Sequence, residues 1–174
     1  MAALRALVVY ESMFGNTELI ARAVAEGMSE LLEAEPRNVA TQPRADGQGY
    51  CALVVGGPTH AFGLSRAATR RSAAEQGATG PAETGVREWL AQYTSLAGTP
   101  AAAFDTRIGT PWPTGSAARS AQKRLRRLGC RILLPAEDFV VTGSTGPLRD
   151  GEPERARRWG RTLAEMIVAT QPVG

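Results

Sequence analysis

Residues that commonly bind metals are scarce in this sequence. Its 174 residues include two cysteines and a single histidine, His60. No second histidine or suitably spaced cysteine accompanies His60, so a structural or catalytic metal site is not expected. Apolar runs of roughly 20 residues, which a membrane-spanning helix needs, are also missing. The sequence therefore argues against a metalloprotein and against a membrane protein.

The two cysteines, Cys51 and Cys130, stand at the starts of apolar runs that are typical of strands. In the topology predicted below, another strand lies between those two. Neighbouring strands are about 4.8 Å apart, which places the thiols roughly 10 Å from each other. This separation is too large for a disulfide, so we expect two reduced thiols.

Lysine is nearly absent: Lys123 is the only one, and arginine supplies the rest of the basic residues in a chain of net charge +3. Basic character alone weakly favours a nucleic-acid partner. No aromatic residues alternate with the arginines, however, and no nucleic-acid-binding motif is present. We therefore expect neither a nucleic acid nor a membrane as partner.

The first ten residues contain an apolar run that leads into a Gly-Asn-Thr turn, not into a small-residue cleavage site. We interpret the run as a first strand and not as a signal peptide. A cytoplasmic protein is the expectation.

Strand patterns and helix patterns alternate along the chain. Apolar segments predict strands at 4–10, 37–41, 51–56, 100–105 and 131–141, the last interrupted at Pro135. Apolar residues at helical spacing predict helices at 17–32, 85–95, 116–128 and 153–169. The alternation predicts a single α/β domain over residues 1–174, a doubly wound parallel sheet with helices on both faces. Residues 64–84 form a possible extra surface segment, helical in the first half, with a loop at 77–81.

In such a sheet, ligands bind beyond the carboxyl ends of the strands. The first of these loops contains Ser12 and Thr17 on either side of Gly15 and Asn16. Glycine permits a tight turn, and the start of the following helix is a natural anion site. The alternative is an ordinary helix cap.

This loop resembles the phosphate loop of flavodoxins, in which a hydroxyl residue, two variable residues and Gly-Asn-Thr hold the phosphate of FMN. Ser12, Gly15, Asn16 and Thr17 match that pattern, and Met13 and Phe14 occupy its variable positions. The resemblance implies a flavodoxin-like fold with strand order 2-1-3-4-5, and FMN as the cofactor. It also implies that all six residues contribute to FMN binding.

The loop after the third strand runs from Pro58 through Thr59, His60 and Phe62. In flavodoxins a threonine here precedes an aromatic residue that packs on the flavin, and Thr59 and His60 occupy these positions. For His60 the alternative is an exposed loop residue. Phe62 either stacks on the flavin in its place or fills the core of the loop.

The loop after the fourth strand begins Phe104-Asp105-Thr106-Arg107. Asp105 agrees with the flavodoxin pattern, but the tyrosine that covers the outer flavin face in the family is missing. Arg107, Ile108 and Trp112 are the nearby candidates for its place. Trp112, between two prolines, either stacks on the flavin or anchors its loop to the core.

A basic rim is a further departure from the acidic flavin surroundings of flavodoxins. Arginines that the predicted topology places near the flavin are Arg66, Arg70, Arg71, Arg107 and Arg119. A guanidinium close to the flavin would favour its anionic reduced form. The alternative is a solvated arginine-rich surface.

Other classes that share α/β topology are excluded by missing motifs. No phosphoacceptor aspartate ends the third strand, and the sequence has no Walker P-loop, no Gly-x-Gly-x-x-Gly and no Gly-x-Ser-x-Gly elbow. No residue is a candidate catalytic acid or base. Three functions remain. They are an FMN-dependent electron carrier serving redox partner proteins, an FMN oxidoreductase that passes hydride from NAD(P)H to a quinone, and a flavodoxin-like interaction module without flavin.

Overall fold

The predicted strands form one parallel sheet. The computed structural model of the chain describes residues 2–44, 48–60, 62–109 and 115–172. Its strands are β1 (Arg5–Tyr10), β2 (Glu33–Asn38), β3 (Ala52–Pro58), β4 (Pro100–Ile108), β5 (Arg131–Ile132) and β6 (Glu137–Val141). The order is β2-β1-β3-β4-β5, and β6 also pairs with β4.

The interrupted last strand is confirmed. Both β5 and β6 run parallel to β4, from Pro100↔Arg131 at one end to Ile108↔Val141 at the other. The break between them contains Pro135, which cannot donate a hydrogen bond to the ladder. With β5 and β6 counted as one interrupted strand, the predicted order 2-1-3-4-5 is confirmed.

The described residues include five helices: α1 (Asn16–Met28), α2 (Ala67–Glu75), α3 (Val86–Ala91), α4 (Ala117–Arg127) and α5 (Glu152–Ala169), which follows the last strand. Alternate residues of the central strands belong to two hydrophobic cores, one on each face of the sheet. One core packs Val8, Val54 and Phe104 against α1 and α5, and the other includes Val9 and Val55 together with residues of α3 and α4. Burial on both faces explains why these strands are continuously apolar.

The second strand begins four residues and ends three residues earlier than predicted, at Glu33–Asn38 instead of 37–41. Its sequence is polar because β2 is an edge strand that pairs only with β1. Pro36 is tolerated there since an edge strand leaves half of its backbone unpaired. The first helix ends correspondingly early, at Met28, and Leu31 is 45% exposed.

Cys51 directly precedes β3 and Cys130 directly precedes β5, with β4 between those strands. Both cysteines are free, as the sequence predicts. Burial raises the pKa of the Cys130 thiol to about 11. Within the described residues, no helix is both long enough and apolar enough to cross a bilayer.

Helices α1 and α5 pack with their backbones in direct contact. A Cβ on Gly27 would overlap the carbonyl oxygen of Arg157, and a Cβ on Gly160 would overlap that of Val24. Both contacts would be closer than 3.0 Å, which real Cβ atoms essentially never show. Each helix therefore supplies a glycine where the other approaches.

We predict that Gly160→Ala destabilises the protein by about 2 kcal/mol. Helix propensity alone would stabilise this helix interior by about 1 kcal/mol, but forced overlap in a packed interface costs roughly 1–3 kcal/mol or more. Urea unfolding measures the free energy of unfolding of Gly160→Ala. Gly143→Ala is the control, since its added methyl lies 3.5 Å from its nearest neighbour. Stabilisation by Gly160→Ala would contradict the backbone contact.

Candidate functional site

The register of the sheet brings three loops to one place. Tyr10 of β1 pairs with Gly56 of β3, which pairs with Phe104 of β4, so these strands end side by side. A cavity of about 340 Å³ opens at this carboxyl edge. Its lining comes from the loops that follow β1, β3 and β6, from the last residues of β3, β4 and β6, and from one face of α2. The lining residues are Met13, Phe14, Asn16, Thr17, Pro58, Thr59, His60, Thr69, Ser72, Ala73, Gln76, Thr106, Arg107, Ile108, Val141 and Ser144.

The loop after β1 is shaped by Gly15 and Ser12. Gly15 has φ +92° and directly precedes α1, a conformation that glycine adopts without steric cost. The buried Ser12 hydroxyl accepts hydrogen bonds from the N–H groups of Gly15 (3.1 Å) and Glu18 (3.3 Å). The first N–H groups of a helix have no partner within it and carry the positive end of its dipole. Asn16 and Thr17, the first two residues of α1, line one end of the cavity.

Two side chains tie this loop to its neighbours. The Thr17 and Thr106 hydroxyl oxygens are 2.6 Å apart in a buried hydrogen bond. The Asn16 side-chain amide donates to the carbonyl oxygen of Thr145 at 3.2 Å. Thr17 is therefore held against β4, and Asn16 against the loop that follows β6.

Thr59 and His60 are both held by side-chain contacts. The Thr59 hydroxyl donates to Asp105 (2.9 Å) and accepts the N–H of Ala117 (3.0 Å). His60 Nδ1 lies 3.1 Å from the Thr69 hydroxyl of α2. Burial, and then the charge of Arg70, lower the pKa of His60 below its usual value. The imidazole that lines the cavity is consequently neutral at pH 7.

Phe62 lies outside the cavity, contrary to its assignment as a flavin contact. It has φ +75° and is 71% exposed, so it neither lines the cavity nor fills the core of its loop. The hydrogen bonds between His60 and Gly63 hold the backbone around it in a tight turn.

Phe104 is also absent from the cavity lining. It is fully buried and packs edge-to-face against Phe139 and Trp159, each at 6.1 Å between ring centroids. The alternation of side chains along β4 directs it into the core that faces α1 and α5. Trp112, the candidate for covering the flavin, lies outside the described residues.

Asp105 supports the cavity wall without lining it. The side chain is fully buried, and its Oδ2 also accepts hydrogen bonds from the Ser116 hydroxyl (2.8 Å) and the Ala118 N–H (3.0 Å). Burial raises the pKa of Asp105 to about 6, and Asp138 nearby also raises it. The carboxylate thus joins the loop after β3 to the start of α4.

Sequence reasoning missed the wall formed by α2. Thr69, Ser72, Ala73 and Gln76 line the cavity. Their spacing is i, i+3, i+4, i+7, which is one face of a helix. That spacing could have identified a helix face against the cavity. Because the residues on it are small and polar, however, they resemble a solvated surface.

The expected basic rim is largely wrong. Arg70 is fully buried, and its guanidinium donates to Glu88 (2.6 Å), Ser65 (2.8 Å) and the carbonyl oxygen of Ala82 (2.9 Å). Arg107 lines the cavity but forms an ion pair with Asp138 at 3.1 Å. The other three, Arg66, Arg71 and Arg119, are exposed and do not line the cavity. The cavity therefore contains one arginine whose charge is paired.

Arg70 belongs to a charged cluster with Glu11, which is also buried, and Glu88, which is partly exposed. Glu11, adjacent to Ser12, is 2% exposed and accepts the N–H of Val86 at 2.9 Å. Burial raises the pKa of Glu11, while hydrogen bonds and the charge of Arg70 oppose this rise. The cluster fastens the segment that carries α2 to the end of β1.

Similar folds are found among solved structures. The flavodoxin from the domain Archaea is 19% identical, with 95% of this chain and 99% of that chain covered at a TM-score of 0.69. Flavodoxin 1 from Bacillus cereus is 20% identical, with 97% and 99% covered at 0.67. The WrbA-like protein from Agrobacterium tumefaciens is 17% identical, with 98% and 100% covered at 0.65. This chain has the flavodoxin-like fold.

No model of a known protein family and no curated protein sequence matches the chain. At 15–20% identity, the structural likeness establishes the flavodoxin-like fold. Because the fold alone does not determine function, any inference about a ligand rests on the residues at the carboxyl edge of the sheet.

We predict that Arg70→Gln destabilises this flavodoxin-like domain by about 2–3 kcal/mol. Breaking a buried ion pair costs roughly 3–5 kcal/mol, and the Glu88 side chain, 40% exposed, recovers part of that cost in water. Arg71→Gln is the matched control, since Arg71 is the exposed neighbour on the same helix. Equal unfolding free energies for the two variants would contradict the structural role of Arg70.

Proposed function

We propose that this protein binds FMN in the cavity at the carboxyl edge of the sheet and carries electrons between redox partner proteins. One observation carries the proposal: the first residues of α1 line one end of a cavity that the loops after β1 and β3 and the end of β4 also border. FMN has two parts that match this arrangement: a terminal phosphate and a flat, largely apolar ring. The proposal also keeps the expectation of a cytoplasmic protein without nucleic-acid or membrane partners.

The cavity fits such a ligand. Its volume of about 340 Å³ falls in the range of small-molecule pockets, roughly 300–1,000 Å³. None of the described residues that line it is a carboxylate, so a phosphate dianion meets no opposing side-chain charge there. Above Gly15 a Cβ would meet nothing within 4 Å, so this side of the loop is open.

The lining divides into polar and apolar groups that suit the two parts of FMN. Asn16, Thr17 and the first N–H groups of α1 would hold the phosphate. Met13, Phe14, Pro58 and Ile108 offer apolar surface to the ring. When bound, FMN supplies the capacity to accept and release one or two electrons, and the protein controls its binding and environment.

The carrier function is favoured over an enzyme because the cavity lacks a group suited to acid–base chemistry. His60 is neutral at pH 7 and poorly placed to gain a proton, since burial and Arg70 lower its pKa. The buried Asp105 does not line the cavity. Within the described lining, Arg107 is the only ionised side chain, and it is paired with Asp138.

We predict that the apoprotein binds FMN at least about tenfold more tightly than riboflavin. The two ligands share the ring and ribityl chain, so the difference measures the phosphate site at α1. Fluorescence titration of apoprotein with each ligand provides both dissociation constants, and equal affinities would refute the phosphate assignment. A protein that binds neither ligand would refute the proposed function and leave the interaction module as the remaining interpretation.

Asn16→Asp tests the phosphate end of the cavity directly. An added carboxylate should weaken FMN binding at least about tenfold, or 1.4 kcal/mol, while riboflavin binding changes little. The helix should tolerate the change, because a negative side chain at a helix N-terminus is favourable. Asn38→Asp is the matched control, since Asn38 lies at the end of edge strand β2.

The wall formed by α2 favours a second candidate, an FMN oxidoreductase acting on NAD(P)H and a quinone. Because α2 covers one side of the cavity, a substrate there would be partly shielded from water. For a carrier, we expect the FMN-loaded protein to oxidise NADPH with a quinone no faster than free FMN does. Steady-state absorbance assays make this comparison, and a rate tenfold above that of free FMN would favour the enzyme.

A further inference from the structure

A second concavity, here called the basic groove, lies beside the candidate FMN cavity. It has a volume of about 320 Å³ and is lined by Phe62, Gly63, Leu64, Arg66, Arg87, Ser120, Lys123, Arg124 and Arg127. Five of these side chains are cationic. No carboxylate is found among the described residues that line the groove.

The cations of the basic groove form no ion pair with a described carboxylate, unlike nine arginines elsewhere in the chain. Nine arginines form ion pairs within the described residues: Arg5, Arg22, Arg37, Arg70, Arg107, Arg149, Arg155, Arg157 and Arg161. None of the five groove cations pairs with a described carboxylate. An uncompensated cluster of this kind repels itself, and a bound anion would relieve the repulsion.

Arg87 is fixed in place at the groove. Its guanidinium donates to the carbonyl oxygens of Leu64 (3.0 Å) and Ser65 (3.2 Å). These bonds orient the side chain without neutralising its charge. Burial, and then Arg124 and Arg66, lower the pKa of Arg87. A half-buried, pre-oriented guanidinium suits phosphate, which arginine binds with charge-assisted hydrogen bonds.

Phe62 adds an aromatic face at the edge of the groove. The ring is 71% exposed, and the residue has φ +75°. For a residue other than glycine such a conformation is strained, and strain of this kind concentrates at ligand sites. An exposed ring beside unpaired arginines matches a ligand that combines an aromatic base with phosphate.

We propose that the basic groove binds a nucleoside diphosphate group, with the phosphates on Arg87, Arg124 and Arg127 and the base on Phe62. The alternative ligand, an acidic protein surface, would need exposed cations only. The concavity and the half-buried arginine therefore favour a small phosphate ligand over a protein. Two sources carry this group: a mononucleotide such as ADP, and a dinucleotide such as NADPH. The same turn borders both concavities, because His60 lines the FMN cavity while Phe62 and Gly63 line the groove.

Calorimetric titration of the full chain with ADP, pyrophosphate and NADPH tests the proposal. The double variant Arg124→Gln/Arg127→Gln should lose at least tenfold in affinity for all three. The control, Arg119→Gln/Arg126→Gln, removes the same charge from α4 at exposed positions outside the groove and should change each affinity less than twofold. Tighter binding of NADPH than of ADP identifies the dinucleotide as the source, and equal binding identifies the mononucleotide.

Phe62→Ala tests the base. Because the ring is exposed, we expect a normally folded variant that binds ADP at least fivefold more weakly and pyrophosphate unchanged. If Phe62→Ala changes the affinity for ADP and for pyrophosphate by the same factor, the nucleotide assignment is overturned.

Three further results would overturn the proposal: no binding of ADP or pyrophosphate at millimolar concentration, equal losses in the α4 variant and its control, or tight binding of hexaglutamate in place of ADP. The titrations are repeated with saturating FMN. Loss of ADP binding under that condition would place ADP in the FMN cavity and also overturn the proposal. ADP binding that depends on the groove arginines in a protein that does not bind FMN would refute the proposed electron carrier and uphold the groove.

Discussion

The hydrogen-bonded register between β1, β3 and β4 determines where the carboxyl ends of these strands meet the cavity. Because Tyr10, Gly56 and Phe104 are aligned across three parallel strands, the loops that follow them emerge at one edge of the sheet. Parallel pairing requires crossover helices, so α1 starts at that same edge and directs its N–H groups toward it. The start of α1 and the cavity beside it are therefore positioned by one ladder, and a slip of one residue in β3 would exchange its two buried faces.

The cluster of Glu11, Arg70 and Glu88 adds a second level of organisation. It links the end of β1 to a segment of polar, small residues that could not bury enough apolar surface to hold itself in place. Arg70 makes this attachment through hydrogen bonds to Glu88, Ser65 and a backbone carbonyl. Buried charges are stable only when paired and hydrogen-bonded. The position of α2 over the cavity thus depends on an ion pair more than on a hydrophobic face.

The local sequence pattern was sufficient to predict most of the fold and part of the candidate site. The parallel sheet followed from the alternation of apolar runs, and its strand order followed from the resemblance to flavodoxins. Asn16 and His60 line the cavity because Asn16 opens a helix and His60 follows a buried strand. The interior position of Arg70 was not predictable, since its partner Glu88 lies 18 residues away and nothing in the local sequence pairs them. Phe104 was assigned to the site by its place in the chain, although the alternation along β4 sends its ring into the core. The edge strand β2 was misplaced because polar edge strands lack the apolar run that marks a buried strand.

The backbone contact between α1 and α5 has a consequence for biosynthesis. Residues of α1 that belong to the first core, such as Ile20 and Val24, are covered by a helix that begins only at Glu152. While the chain is being synthesised, β1, β2 and β3 can pair, but that face of the sheet and of α1 stays open to water until α5 has left the ribosome. Nascent chains that expose apolar surface are substrates for chaperones and prone to aggregate. Folding of this face of the sheet is therefore not complete until α5 packs against α1.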